Sequence, residues 1–435
     1  MIKGQNFIRF AQVLGWIVIF LLPWQTRYIF YILPLADQYG QYGQLSLYAT
    51  SILLALTLAV LAVQQKLPRK YIFLWPILWL TWLLFSFLWT ENIIATVIHV
   101  SFVVAALGYY LLVHYLPPKV IWSSLAAMGL SQSLFALWQW IMQYVPASSW
   151  FGLAEHDPLV LGQAVVEVAG YRMLRAYGSL PHPNVLAGFL VIGLIALVIY
   201  YARYQAPLQK RWGTWVNAGF IISCSLMFLG LLVTFSRAGL LALLIVLLTG
   251  SLWQMRRGEQ RSQMLMMLTA VFGILFLIVN ILAQGVWLSR FAPDGDRLET
   301  RSVQERVSGA EQAISLWQGS RVLIGSGAGT YLWILADQYP GRLVYDYQPV
   351  HNVFLLAAIE FGLLGVIIWL SILYYISQKK PRFEIIMLVS GLLIFSFFDH
   401  WLITSYAGLA LWWLSMGLAY KEITTQYSKK ATVVV

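Results

Sequence analysis

Between residues 285 and 349 the chain carries Arg290, Arg297, Arg301, Arg306, Arg321 and Arg342 but no lysine. A guanidinium presents a planar fork of donors that grips a phosphate through two parallel bonds, which an ammonium cannot do. The stretch ends in Pro349-Val350-His351-Asn352, where a long apolar run begins. A helix needs about 20 apolar residues to cross a bilayer, so His351 and Asn352 are expected at a helix mouth on the membrane surface. Thr234-Phe235-Ser236-Arg237-Ala238-Gly239 interrupts two apolar runs and puts Arg237 at a helix end. Pro181-His182-Pro183-Asn184 opens another apolar run, with Pro183 suited to the first helical position. Unpaired N–H groups at such helix starts favour anions. These residue types point to an enzyme that handles a phosphorylated lipid at a membrane surface. Each also has a plainer reading: Arg237 as a snorkelling side chain, His182 and His351 as polar helix caps.

Composition bounds what must position them. Hydrophobic residues make up 60%, charged residues 10%, and the mean hydropathy is +0.73, which excludes an ordinary soluble domain. The net charge of +11 is compatible with nucleic acid, but the basic residues sit in short segments between apolar runs, as membrane loops do. Membrane lipids rather than nucleic acid are the expected surroundings. The one cysteine, Cys224, lies within an apolar run. The expected fold is an all-α integral membrane protein, a single polytopic domain over 1–435. About twelve spans are expected, at 8–24, 45–64, 71–89, 93–114, 120–145, 183–204, 212–233, 235–253, 264–283, 350–377, 383–398 and 401–420.

With both termini in the cytoplasm, this layout puts all ten lysines inside, and the ten arginines left outside carry the outer charge. That partition follows the positive-inside rule. Two sizeable segments are then expected on the outer face, at 146–181 and 285–349, the second containing short helices between spans nine and ten. Within it, residues 298–320 read as a helix whose Val303, Val307, Ala310, Ile314 and Trp317 form one apolar stripe. The stripe is expected to rest on the bundle. At 100° per residue Arg306 lies roughly 40–60° from Val303 and Ala310, and Arg301 points nearly opposite.

Other constellations are weaker. The glycine-rich 325–329 segment looks like a phosphate cradle but follows no strand and lacks the accompanying lysine, so a tight turn is expected. Glu360 falls inside a span, where a carboxylate is costly and is usually functional or paired. His99, also inside a span, reads as a packing residue, and Asp399-His400 as an outer turn beside the site. Asp294-Gly295-Asp296 has the form of a cation-binding pair, yet Pro293 before it makes a plain turn the expected reading. No metal ligand set and no cofactor are expected.

The 234–239 motif, the stretch Arg175-Ala176-Tyr177-Gly178-Ser179-Leu180-Pro181-His182-Pro183-Asn184, the loop helix leading into 325–331, and His351-Asn352 followed by Glu360-Phe361-Gly362 together resemble the O-antigen ligase and polymerase superfamily. The resemblance covers roughly 175–370. It implies a bacterial inner-membrane glycosyltransferase that moves a glycan from undecaprenyl pyrophosphate to a lipid, glycan or protein hydroxyl on the outer face, without a nucleotide sugar. It implies Arg237, Arg306 and His351 as catalytic residues. Arg175, His182, Asn184 and Asn352 are expected to contact the pyrophosphate or glycan. His351 stands open between general base and phosphate ligand, and ligase, repeat-unit polymerase and protein O-oligosaccharyltransferase share the same core. A lipid-linked glycan transporter, the rival class, should show repeated halves and helices broken at mid-membrane, whereas here the arginines gather on one face.

Overall fold

The computed structural model describes residues 2–35, 42–64, 74–168, 171–256, 261–282, 287, 297–379 and 381–433. Helices occupy each of the twelve apolar stretches: α1 (Ile2–Phe20), α2 (Ala49–Gln64), α3 (Leu74–Phe85), α4 (Ile93–Tyr115), α5 (Pro118–Met142), α6 (Pro183–Tyr204), α7 (Ala206–Leu232), α8 (Arg237–Arg256) and α9 (Arg261–Leu282). Beyond the loop helices α10 (Arg297–Leu316), α11 (Arg321–Ile324) and α12 (Tyr331–Gln338) come α13 (Val353–Gln378), α14 (Phe383–Phe398), α15 (Trp401–Thr404) and α16 (Tyr406–Val433). Among the described residues six helices are long and apolar enough to cross a membrane: Ile93–Tyr115, Pro118–Met142, Pro183–Tyr204, Trp212–Leu232, Met264–Ile281 and Val353–Gln378. Shorter apolar helices include Ile8–Phe20, Ala49–Val63, Leu74–Leu88, Arg237–Leu252 and Phe383–Phe398. The chain is a mostly helical membrane protein.

The expectation of an all-α fold needs one correction. Two antiparallel hairpins are present: β1 (Arg27–Ile32) with β2 (Gln44–Tyr48), and β3 (Val165–Val168) with β4 (Tyr171–Leu174). Hydropathy alone runs residue 45 into the following helix. The segment Arg27-Tyr28-Ile29-Phe30-Tyr31-Ile32 is aromatic and β-branched, which suits a strand, and it draws 44–48 out of α2 as its partner.

Sequence chemistry sets the helix starts. Asn92 Oδ1 accepts the N–H of Ala95 at the head of α4, and Asn352 Oδ1 accepts that of Leu355 at the head of α13. Pro118 and Pro183 stand at the starts of α5 and α6. α16 packs along α4, α5 against α6 and α7, α14 against α8, and α13 against α3. Where α5 crosses α6, a Cβ on Gly129 would lie 2.8 Å from the Cα of Gly193, so the two backbones touch directly. This is the close approach that small residues permit between membrane helices.

The two ends of the bundle differ in chemistry. At one, Arg203 on α6 pairs with Glu384 on α14 at 2.8 Å and with Glu422 on α16 at 2.9 Å, and Arg382 reaches Glu422 at 3.4 Å. At the other meet the starts of α6, α8 and α13 and the corner between α14 and α15. The polar side chains gathered there form the site.

Gly129→Leu should lower the thermal midpoint of the detergent-solubilised protein, because overpacking a close contact costs about 1–3 kcal/mol. An unchanged midpoint would contradict direct backbone contact between α5 and α6.

Candidate active site

One chain of hydrogen bonds ties four segments together. Arg175 is buried, 8% exposed, and its Nε donates to the carbonyl of Thr234 at 2.8 Å. Its Nη2 donates to Asn184 Oδ1 at 2.8 Å, and Asn184 Nδ2 donates to Asp399 Oδ2 at 2.9 Å. The other carboxylate oxygen of Asp399 accepts the backbone N–H of His400 at 2.8 Å. Both ends of the Asn184 amide are engaged, so its place is a bridge between a cation and an anion. His182 caps α6, with Nδ1 accepting the N–H of Asn184 at 3.1 Å.

The extended segment before α6 runs beside the bundle and must find partners for its backbone. Glutamines on α5 and just past its end provide them. Gln139 Oε1 accepts from Tyr177 N and Gly178 N, and its amide donates to Gly178 O. Gln132 Oε1 accepts from Ser179 N, and Gln143 Oε1 from Leu174 N. These glutamines, spaced seven and four residues apart on one helical face, were legible as a polar stripe in an apolar run, though nothing named their partner.

Arg237 begins α8, directly after a tight corner in which Phe235 holds a left-handed backbone (φ 49°) and stacks on Trp287. Ser236 Oγ accepts the N–H of Gly239 and caps the helix. The Arg237 charge therefore adds to the positive end of the α8 dipole. Arg306 comes from α10, and here the expected packing is corrected. Val303, Val307 and Ile314 are 49%, 54% and 59% exposed, whereas Ala313 and Leu316 are buried. The face against the bundle is the adjacent one, through Ser302, Arg306, Gly309, Ala313 and Leu316. The larger aliphatic ridge points outward. Arg306 thus sits on the contact face itself, while Arg301 faces out and pairs with Glu305 at 2.7 Å.

The charges act on one another. Burial pulls Arg175 down to about 10, so it keeps its proton at neutral pH, and the fields of Arg306 and Arg237 reach it. Burial also lowers Arg306, opposed by the charge of Asp399. For Asp399 burial resists ionisation, but the neighbouring imidazoles and the Asn184 amide outweigh it and hold the carboxyl well below its ordinary range. Burial pushes His182 down to about 3 and His400 down to about 4, and lowers His351 against the opposing pull of Asp399. The three imidazoles are neutral at pH 7 and can accept protons. The His351 and His400 rings meet edge to face at 5.3 Å, and His400 Nδ1 bonds Thr404 Oγ1 at 2.8 Å. Asn352 donates to the carbonyl of Phe397 at 3.3 Å, tying the head of α13 to the end of α14. His182, His351, Asp399 and His400 open onto a cavity of about 770 Å³.

Residues 222–370 match the family described as O-antigen ligase. This stretch of the chain is similar to an O-antigen ligase domain. No curated protein matches the chain. The match supports the resemblance to the O-antigen ligase superfamily carried by the motifs. Arg237, Arg306, His351 and Glu360 lie inside the matched stretch, while Arg175, His182, Asn184, Asp399 and His400 lie outside it.

Within the matched stretch the glycine-rich segment wraps a carboxylate of the protein itself. Glu360 is buried; it accepts from Tyr42 Oη, from Gly329 N at 2.9 Å and from Tyr331 N at 3.3 Å. Ser326 N and Gly327 N bond the carbonyls of Ile359 and Glu360. A Cβ on Gly325 would fall 2.2 Å from the Glu360 carbonyl oxygen, and one on Gly362 2.3 Å from that of Leu323. Both glycines have positive φ, and α13 breaks its helical geometry at Gly362. The segment is the expected turn, consumed in locking the loop helices to α13. His99 is buried against Phe361. Arg290, Asp294 and Asp296 lie outside the described residues.

Asn184→Ala leaves Arg175 and Asp399 each short of a buried partner, which costs about 1–3 kcal/mol. The variant should melt earlier than wild type, and Asn184→Asp should not restore it, since its carboxylate cannot donate to Asp399. A wild-type melting curve for Asn184→Ala would contradict the bridging role.

Proposed function

We propose that this protein transfers a glycan from undecaprenyl pyrophosphate to a hydroxyl acceptor, on the outer face of a bacterial inner membrane. The observation that carries this reading is the convergence of Arg175, Arg237 and Arg306 with neutral His351 near the ionised carboxylate of Asp399. The three guanidiniums concentrate positive charge at this end of the bundle, and the charge of Asp399 acts on Arg175 and Arg306. A sugar-bearing lipid pyrophosphate carries about two negative charges, and charge-assisted bidentate bonds suit it.

Arg237 and Arg306 bind the pyrophosphate and stabilise the charge that grows on it as the glycosidic C–O bond breaks, the kind of preorganised electrostatics that often dominates catalysis. Arg175, bound to Thr234 and Asn184, holds the corner from which Arg237 projects. His351 accepts the proton of the acceptor hydroxyl while that oxygen attacks the anomeric carbon, which inverts the centre. Its neutrality and its place on the cavity wall favour the base role over phosphate binding. General-base help is worth about 10²–10⁴-fold. The guanidiniums supply the cationic charge that a divalent ion would otherwise provide, so no metal is needed. In this reading all twelve apolar stretches cross the membrane with both termini in the cytoplasm, consistent with the lysine partition.

The test is transfer by purified protein from a lipid-pyrophosphate glycan in excess EDTA. Wild type should remain active. Arg237→Lys and Arg306→Lys keep the charge but lose the fork; each should fold and lose at least about tenfold in rate, one lost charge-assisted bond being worth about 1.5–3 kcal/mol. Arg301→Lys should match wild type. Loss of activity in EDTA with recovery in Mg²⁺ or Mn²⁺ would overturn the arginine-only account, as would an essential Arg301 beside a dispensable Arg306.

A further inference from the structure

The cavity that reaches His351 has a second wall with no role in the chemistry above. It comes from the smaller loop, through His156, Gln163 and Tyr177. The backbone of His156 is fixed by paired bonds with Val145, N to O at 3.0 Å and O from N at 2.9 Å. The Tyr177 ring is buried in a small cluster with Val145, Val165 and Leu174. The His156 ring lies flat on it, centroids 3.7 Å apart and planes 13° from parallel. His156 Nδ1 bonds Gln163 Oε1 at 2.5 Å, and the Tyr177 hydroxyl accepts the N–H of Ala164 at 2.7 Å. Backbone, stack and hydrogen bond therefore hold one ring in one orientation.

That orientation sets its chemistry. Burial lowers His156, so the ring is neutral at pH 7. With Nδ1–H donated to Gln163, Nε2 is an acceptor, and the Gln163 amide nitrogen beside it is a donor. Among the lining residues Arg27 is the one guanidinium, and it is held by Tyr48 Oη at 2.7 Å and Gln44 Oε1 at 2.9 Å. Arg175, Arg237 and Arg306 do not line the cavity. A flat ring face with an adjacent acceptor and donor, and without a cluster of cations, suits an uncharged ligand rich in hydroxyls. The volume of about 770 Å³ lies in the range of small-ligand pockets, roughly 300–1,000 Å³.

We propose that this wall is a carbohydrate subsite. A sugar ring lies against the His156–Tyr177 stack, one hydroxyl donates to His156 Nε2, and another accepts from Gln163. The assignment rests on the glycosyl-transfer reading for its place beside His351, but binding at the wall needs no transfer. The glycan is either the acceptor's or the leading sugars of the donor.

The experiment is saturation-transfer NMR on full-length protein in nanodiscs, in wild type and His351→Ala. Its probes are lipid-free glycan released by mild acid from the host's own undecaprenyl pyrophosphate pool, oligosaccharide from the host's delipidated surface glycolipid, and a synthetic Ser/Thr-rich peptide. At least one glycan should bind both proteins alike, so binding survives where transfer does not. His156→Ala and Gln163→Ala should weaken that glycan about tenfold, the loss of one hydrogen bond of roughly 1.4 kcal/mol. His156→Phe, which keeps the stacked ring face and drops both ring nitrogens, should weaken it by a similar factor and retain the wild-type melting temperature. Weakening of the delipidated oligosaccharide alone assigns the wall to the acceptor, and of the released glycan alone to the donor; either outcome supports the subsite. Absence of glycan binding to wild type, unchanged binding in both His156→Ala and Gln163→Ala, or displacement of glycan by the peptide would overturn it. Failure of transfer with glycan binding intact would instead count against the proposed reaction and leave the subsite standing.

Discussion

A guanidinium and a carboxylate buried at the end of an apolar bundle have to find each other, directly or through a third group. Arg175 and Asp399 do so through the Asn184 amide, and the site depends on that bridge. The chain runs from the corner before α8, through the segment before α6, to the corner between α14 and α15. It sets where Arg237 begins its helix, how His182 caps α6, and how close His400 comes to His351. An unpaired buried charge costs several kcal/mol, so the three corners move together or not at all. This makes Asn184 a positioning residue, although its sequence context reads equally as a ligand to substrate.

The same constraint governs the backbone. Non-helical chain at the depth of a bundle survives only where its N–H and C=O groups find partners in the protein. Gln132, Gln139 and Gln143 meet that need for 174–179, and Glu360 meets it for 326–331. Both devices spend a polar side chain of a largely apolar helix on positioning a loop. The loops they fix carry, or lead to, the arginines and histidines of the site. Glu360 is thus paired rather than catalytic, which accounts for a carboxylate in a membrane helix without giving it a proton to move.

Much of this was legible in the sequence. Apolar runs located the helices, because a membrane span is continuous and long. Pro183 after His182 and Asn352 after His351 marked helix starts, because a fixed φ and a side-chain acceptor suit those positions. Three things were not legible. Hydropathy leaves β1 between two spans and runs most of β2 into the second, since it does not separate a strand from the start of a span. The Val303 ridge of α10 is expected to pack inward, but burial follows the adjacent Ala313 and Leu316 face, a choice between neighbouring faces that periodicity alone does not make. The His156–Tyr177–Gln163 wall joins side chains from a bridge, a loop and an extended segment, and no local pattern announces such a meeting.

The central claim is that the arginines, rather than a metal ion, receive the pyrophosphate beside neutral His351. The most direct measurement is an experimental structure of the protein in nanodiscs with a non-transferable lipid-pyrophosphate glycan, prepared in EDTA. The account predicts the two phosphates within hydrogen-bonding distance of Arg237 and Arg306, with the anomeric carbon facing the His351 side of the cavity. Pyrophosphate bound elsewhere, or bound only when Mg²⁺ is supplied and then beside residues 294–296, would contradict it.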